Sequence, residues 1–132
     1  MADEAVIIEL IESGVPIRYT CAEDATILKG TLGKITDPRT LIASSADNDP
    51  FAGVVSMEKV ADDGSTHVSA YTKGIFDIKG SAAIAIGERV SLSGANTVTK
   101  TAAADVLFAD VGIALEATVG AETLAVFVGF GD

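Results

Sequence analysis

The amino-acid sequence predicts an all-β protein, folded as a small antiparallel β-barrel or β-sandwich. Short segments rich in β-branched residues recur along the chain, and clusters of Gly, Asp, Asn and Ser separate them. In residues 67–72 and 89–92 polar and apolar side chains alternate, which is typical of strands with one buried face. The chain has five Phe, two Tyr and no Trp, so the predicted core is aliphatic.

The β-branched segments define the predicted strands. These are residues 6–8, 15–21, 51–60, 66–72, 89–92, 97–101, 111–115 and 123–128. The turn sequences 62–65 and 93–96 each contain a Gly that can supply a positive φ, so the strands on either side are expected to pair as hairpins. Two Ala-rich stretches, 22–28 and 101–108, are less clearly β, and each allows a short helical turn.

The chain carries a weak internal repeat at an offset of about 57 residues. The matching pairs are residues 27–32 with 84–89, 51–55 with 110–114, and 67–76 with 123–132. We assign residues 1–20 to an N-terminal arm or first strands, and residues 21–132 to a single β domain. Its pseudo-repeats cover about 25–76 and 82–132. Chance similarity between segments rich in Gly and Val is the alternative explanation.

Composition and charge exclude several classes of function. Nineteen acidic against nine basic residues give a net charge of −10, which repels a phosphate backbone, so no nucleic-acid partner is expected. The single cysteine, Cys21, excludes an intrachain disulfide and fits folding in a reducing cytoplasm. The acidic start lacks the basic region of a signal peptide. Apolar runs are far shorter than the roughly 20 residues of a membrane span, so no membrane association is expected.

Catalytic motifs are not found in the sequence. His67 is the only histidine and lies in an alternating strand, where a half-exposed polar side chain is ordinary. No Gly-x-Ser-x-Gly motif is present, and a lone thiol such as Cys21 in an apolar stretch usually behaves as a small buried hydrophobe. We therefore interpret both residues as structural.

Metal, carbohydrate and phosphate sites are also not indicated. Residues 47–49 lack the Gly and the distal Glu of a calcium loop, and 30–34 lack the spacing of a phosphate-binding loop. The acidic pairs 23–24 and 62–63 are neighbours in sequence, and adjacent strand residues point to opposite faces, which does not suit a glycosidase pair. We predict no enzyme activity, no cofactor, no metal and no small-molecule substrate.

The strongly apolar N-terminal segment is the candidate interaction site. Its members are Val6, Ile7, Ile8, Leu10 and Ile11. Because the segment precedes every hairpin signal, it is either an arm that adds a strand to a neighbouring sheet or the first strand of the chain's own barrel.

The order of several short motifs resembles the capsid decoration proteins of tailed bacterial and archaeal viruses. The motifs are residues 73–78, 83–90, 98–99 and 111–115 with a final apolar strand, and, more loosely, the Gly30 turn and residues 51–55. The resemblance covers most of the chain. The acidic loop at 47–49 and the apolar arm depart from the family pattern.

This resemblance implies a non-enzymatic homotrimer on the capsid exterior. Such a trimer sits at threefold positions, binds the major capsid protein and stabilises the expanded shell. The apolar N-terminal segment would then be a capsid or trimer interface. One alternative is a tail, fibre or surface β-module that binds a host glycan or another virion protein. A small β-barrel hydrolase is a further alternative, which the missing acid, base and metal sets disfavour.

Overall fold

The computed structural model describes residues 4–9, 16–46, 49–101 and 110–129. These residues form eleven strands and no helix. In chain order the strands are β1 (Val6–Glu9), β2 (Ile17–Thr20), β3 (Leu32–Asp37), β4 (Thr40–Ala43), β5 (Phe51–Val55), β6 (His67–Tyr71), β7 (Gly74–Gly80), β8 (Arg89–Gly94), β9 (Thr97–Lys100), β10 (Asp110–Ala114) and β11 (Thr123–Val128). The all-β prediction is confirmed.

The strands close into two barrels of five strands each. The first has the order β2-β4-β3-β5-β6, and the second has the order β7-β11-β10-β8-β9 and is closed by pairing between β7 and β9. In each barrel one pairing is parallel, β2 with β4 and β7 with β9, and the others are antiparallel. A ring with an odd number of strands cannot alternate direction throughout, so one parallel pair is required.

The two barrels have the same topology, which confirms the prediction of two similar halves. Ile27 pairs with Lys59 in the first barrel, and Ile84 pairs with Thr118 at the equivalent place in the second. The turns that follow Ile27 and Ile84 contain glycines with φ of 89° and 87°. The arm and domain bounds assigned from the sequence stay predictions.

The predicted hairpins form as expected, and three strands were not predicted. Strand β5 pairs with β6 across the turn at 62–65, and β8 pairs with β9 across the turn at 93–96. Strands β3, β4 and β7 are absent from the predicted set. Within 22–28 the Ala25 amide donates to the Ala22 carbonyl (3.2 Å), which makes a single turn. Residues 102–108 of the other Ala-rich stretch lie outside the described residues.

The hydrophobic core continues from one barrel into the other. The interior of the first barrel is formed by Tyr19, Cys21, Ile27, Leu41, Ala52, Val55, Val68 and Ala70. The larger cluster fills the second barrel and also contains Leu32 and Val54 from the first. Because Leu32 and Val54 are fully buried in this shared cluster, the two barrels cannot separate without exposing core residues.

A buried asparagine joins the barrels by hydrogen bonds. The Leu32 amide donates to Asn96 Oδ1 (2.9 Å), and the Asn96 amide donates to Ser44 Oγ (3.2 Å). The Ser44 hydroxyl in turn donates to the Gly94 carbonyl (2.9 Å). Asn96 has a φ of 59°, a conformation that asparagine adopts more readily than most residues. The β8–β9 turn is thereby fixed to the first barrel.

Candidate interaction surfaces

The N-terminal segment forms strand β1 on the chain's own second barrel. Val6 is opposite Asp77 and Ile7 is opposite Phe76 in antiparallel pairing with β7. The Ala5 amide donates to the Gly30 carbonyl (2.6 Å), and Ala5 belongs to the shared core. Strand β1 is therefore anchored to both barrels.

The structure describes the side chains of two of the five predicted interface residues. Val6 is 60% exposed, and Ile7 is half-buried and packs against the shared core. The Ile8 backbone belongs to β1, but its side chain lies outside the described structure, as do Leu10 and Ile11. Contact of these residues with a capsid subunit or a second copy stays a prediction.

A cavity of about 420 Å³ lies beside β1. Its lining is mainly apolar, from Val6, Ile7, Val54 and Val55, with Glu4 and Lys29 among the remaining lining residues. Glu4 Oε2 is buried and has no hydrogen-bond partner among the described residues. A buried carboxylate oxygen without a donor is costly, so a basic or hydroxyl group from a partner would be favourable here.

Asp110 closes the base of the segment between β9 and β10. Its Oδ2 accepts from Arg89 Nε (2.9 Å). Its Oδ1 lies 3.1 Å from the Ser91 hydroxyl and 3.2 Å from the Thr101 hydroxyl, and the two hydroxyls are 2.6 Å apart. One hydroxyl donates to the other, which donates to the Asp110 carboxylate, because each has a single proton. Thr101 and Asp110, the described residues that flank 102–109, are thereby joined.

Asp49 closes the equivalent segment between β4 and β5. Its Oδ2 accepts from the amides of Ser45 and Ala46, both at 2.9 Å, and lies 3.3 Å from Lys34 Nζ. Burial raises the pKa of Asp49, but the two amides and the Lys34 ammonium outweigh it, so the pKa is below its ordinary value. Asp47 and Asn48, considered as calcium ligands, lie outside the described residues.

Lys59 is a buried cation that the sequence did not reveal. Its ammonium donates to the carbonyls of Glu23 (2.7 Å), Ala25 (3.1 Å) and Val60 (3.3 Å). It also lies 3.3 Å from Asp63 Oδ1, and hydrogen bonds from the Ser65 amide and from Lys59 lower the Asp63 pKa. Lys59 therefore binds the loops at one end of the first barrel to each other.

Cys21 and His67, the two residues considered for catalysis, lie in ordinary structural settings. Cys21 is a buried free thiol, and burial raises its pKa. His67 is exposed, with its Nδ1 3.3 Å from the Thr66 hydroxyl. Among the described residues no group of three or more His, Cys, Asp or Glu side chains could hold a metal ion. The described residues contain no helix long and apolar enough to span a bilayer.

The described residues form two fused β-barrels, in which the side chains of Asp49, Lys59 and Asp110 brace loops. Residues 11–130 match the family model described as phage cement protein, and the chain belongs to this family. The resemblance to capsid decoration proteins is thereby confirmed. No curated protein matches the chain. Membership in the family identifies a structural protein that associates with the virion capsid, binds capsid proteins and stabilises the shell.

Proposed function

We propose that this protein binds the exterior of the expanded capsid at threefold positions as a homotrimer and acts without catalysis. The observation that carries the proposal is the shared core, because Leu32 and Val54 of the first barrel are buried in the cluster of the second. Two barrels fixed in this way present separate surfaces at constant spacing. One chain can then contact two capsid subunits and hold their separation.

The stabilising effect follows from mass action. A protein that binds the expanded shell and not its precursor shifts the equilibrium toward the expanded form. Linking three chains raises the effective concentration of the second and third contacts once the first has formed. The net charge of −10 opposes non-specific association of the free protein.

We assign the first of these contacts to β1 and the cavity beside it. Val6 is exposed on an anchored strand, and the adjacent cavity combines an apolar lining with the unpaired Glu4 oxygen. Ile8, Leu10 and Ile11 extend the apolar segment in sequence. The surface suits a capsid-protein side chain that ends in a basic or hydroxyl group.

The experiment is cosedimentation of the full chain with expanded, undecorated capsids, together with light scattering of the free protein. Saturable binding of three chains per threefold position is the expected result. Val6→Asp should weaken binding, whereas the control Val60→Asp, at a residue 52% exposed on the first barrel, should not. Val60→Asp should unfold at the wild-type urea concentration. Val6→Asp places a carboxylate opposite Asp77, so it should lose up to about 1 kcal/mol and still be folded in the urea-free binding buffer.

Two outcomes contradict the proposal in different ways. If the wild-type chain binds no form of the capsid, the decoration role fails, and a tail, fibre or surface module that binds a glycan or another virion protein becomes the better hypothesis. If the wild type binds and Val6→Asp binds equally well, the shell contact lies elsewhere on the molecule.

A further inference from the structure

Strand β2 of the first barrel and strand β7 of the second occupy equivalent positions, but their outer edges differ. Parallel pairing joins Thr20 to Thr40 in the first barrel and Lys79 to Thr97 in the second, so Thr20 corresponds to Lys79. Counting back along each strand, Arg18 corresponds to Asp77.

In the second barrel, strand β1 pairs with β7 at Asp77, Phe76 and Ile75. In the first barrel, no described strand pairs with β2 at the equivalent positions on this side.

The uncovered edge of β2 has the geometry of a strand acceptor. The Thr20 amide donates to the Arg39 carbonyl (2.7 Å) and therefore faces this side of β2. Backbone groups two residues apart point the same way, so the amide and carbonyl of Arg18 face it too. Ile17 is 42% exposed, whereas Phe76, its counterpart under β1, is completely buried.

The Arg39 side chain covers part of this strand edge. Arg39 Nη2 donates to the Arg18 carbonyl (2.7 Å) and so occupies an acceptor that a neighbouring strand would use. Charged side chains on exposed edges are a common protection against unwanted pairing between copies. The guanidinium can leave the carbonyl when a carboxylate offers a stronger, charge-assisted hydrogen bond.

The cleft at this edge is positively charged, although the whole chain is acidic. It has a volume of about 180 Å³ and is lined by Arg18, Tyr19, Thr20, Arg39 and His67. No carboxylate is among these lining residues. Two of the nine basic residues of a chain with a net charge of −10 therefore converge at one strand edge. This arrangement favours a partner that is both extended and acidic.

We infer that the β2 edge binds an extended, carboxylate-bearing segment of the capsid protein, which pairs with Ile17 and Arg18 as β1 pairs with β7. The inference rests on the proposed capsid-binding function. A second copy of this chain is the alternative source, because β1 is paired on one side only, and the crosslink described below distinguishes the two sources. The partner's carboxylate binds the Arg39 guanidinium, and a backbone amide of the partner donates to the Arg18 carbonyl.

Charge reversal at the edge tests the inference with the same capsids. Arg39→Glu should weaken binding about tenfold at low salt, because it removes an attraction to the partner's carboxylate and adds a repulsion. Lys100→Glu makes the same change of charge at an exposed residue of the second barrel and should bind like the wild type. Salt should weaken wild-type binding more than Arg39→Glu binding.

A photo-crosslinking amino acid at Ile17 identifies the partner directly. The expected product joins this chain to an acidic segment of the capsid protein. Crosslinks only to a second copy, or equal binding by Arg39→Glu and the wild type, would overturn the inference and leave the decoration role intact. Failure of the wild type to bind capsids would instead remove the role on which the inference rests.

Discussion

The hydrogen bonds of Asn96 at the barrel interface allow a quantitative test of how the two barrels are joined. Asn96→Ala leaves the buried Leu32 amide without its acceptor, which costs about 1–3 kcal/mol. Alanine also tolerates the φ of 59° less well than asparagine, which adds about 1 kcal/mol. The free energy of unfolding should therefore fall by about 2–4 kcal/mol, a large fraction of a typical total.

Two companion variants separate these contributions. Asn96→Gly loses the hydrogen bond but relieves the backbone strain, so it should be less destabilising than Asn96→Ala. Arg39 occupies the equivalent turn position in the first barrel, with a φ of 52° and an exposed side chain. Arg39→Ala removes only an exposed hydrogen bond and should cost under about 1 kcal/mol.

Urea unfolding of the free protein, followed by circular dichroism, measures all three variants. A single transition is expected for each, because the core is continuous between the barrels. The reasoning is refuted if Asn96→Ala lies within about 0.5 kcal/mol of the wild type, the range of an ordinary surface substitution. It is also refuted if Asn96→Gly is the less stable of the two Asn96 variants.

Three further predictions use the same unfolding assay. Gly112→Ala should lose at least about 2 kcal/mol, because its Cβ would overlap the Phe127 carbonyl, whereas Gly120→Ala, with open space around it, should be neutral. Lys59→Met should cost about 2–4 kcal/mol by leaving buried carbonyls without a donor, and a near-neutral result would show that water replaces the ammonium. The pKa of Asp49 is lower in the folded state than in the unfolded chain. Its contribution to the free energy of unfolding is therefore complete at a pH above the unfolded-state pKa and should be lost as pH falls below about 4. Asp49→Asn should flatten this acid dependence, and an unchanged slope would contradict the assignment.

The sequence predicted those strands whose alternation or β-branched content is strong. Strand β6 is an example, because Val68 and Ala70 are buried between more exposed neighbours. Strand β3 was missed because Gly33 and Lys34 weaken its pattern. A Cβ at Gly33 would overlap the side chain of the buried Leu41, which would have to shift. Strand β7 alternates as clearly as the predicted strands, so its signal was present in the sequence.

Features that depend on contacts distant in the chain could not be predicted. The pairing of β1 with β7 joins segments about 70 residues apart, and periodicity carries no information on which strands become neighbours. Lys59 stands between Glu58 and Val60, a context that is ordinary for a solvent-exposed lysine. Its burial follows from three carbonyls that the fold brings to one point.

The Asp110 contacts have a consequence for protein engineering. Arg89, Ser91 and Thr101 hold the Asp110 carboxylate, so the described residues on either side of 102–109 are joined directly. The entropic cost of a longer connection rises slowly with its length. A longer connection between Thr101 and Asp110 keeps all four of these side chains, which makes the position between them suitable for inserting a foreign peptide.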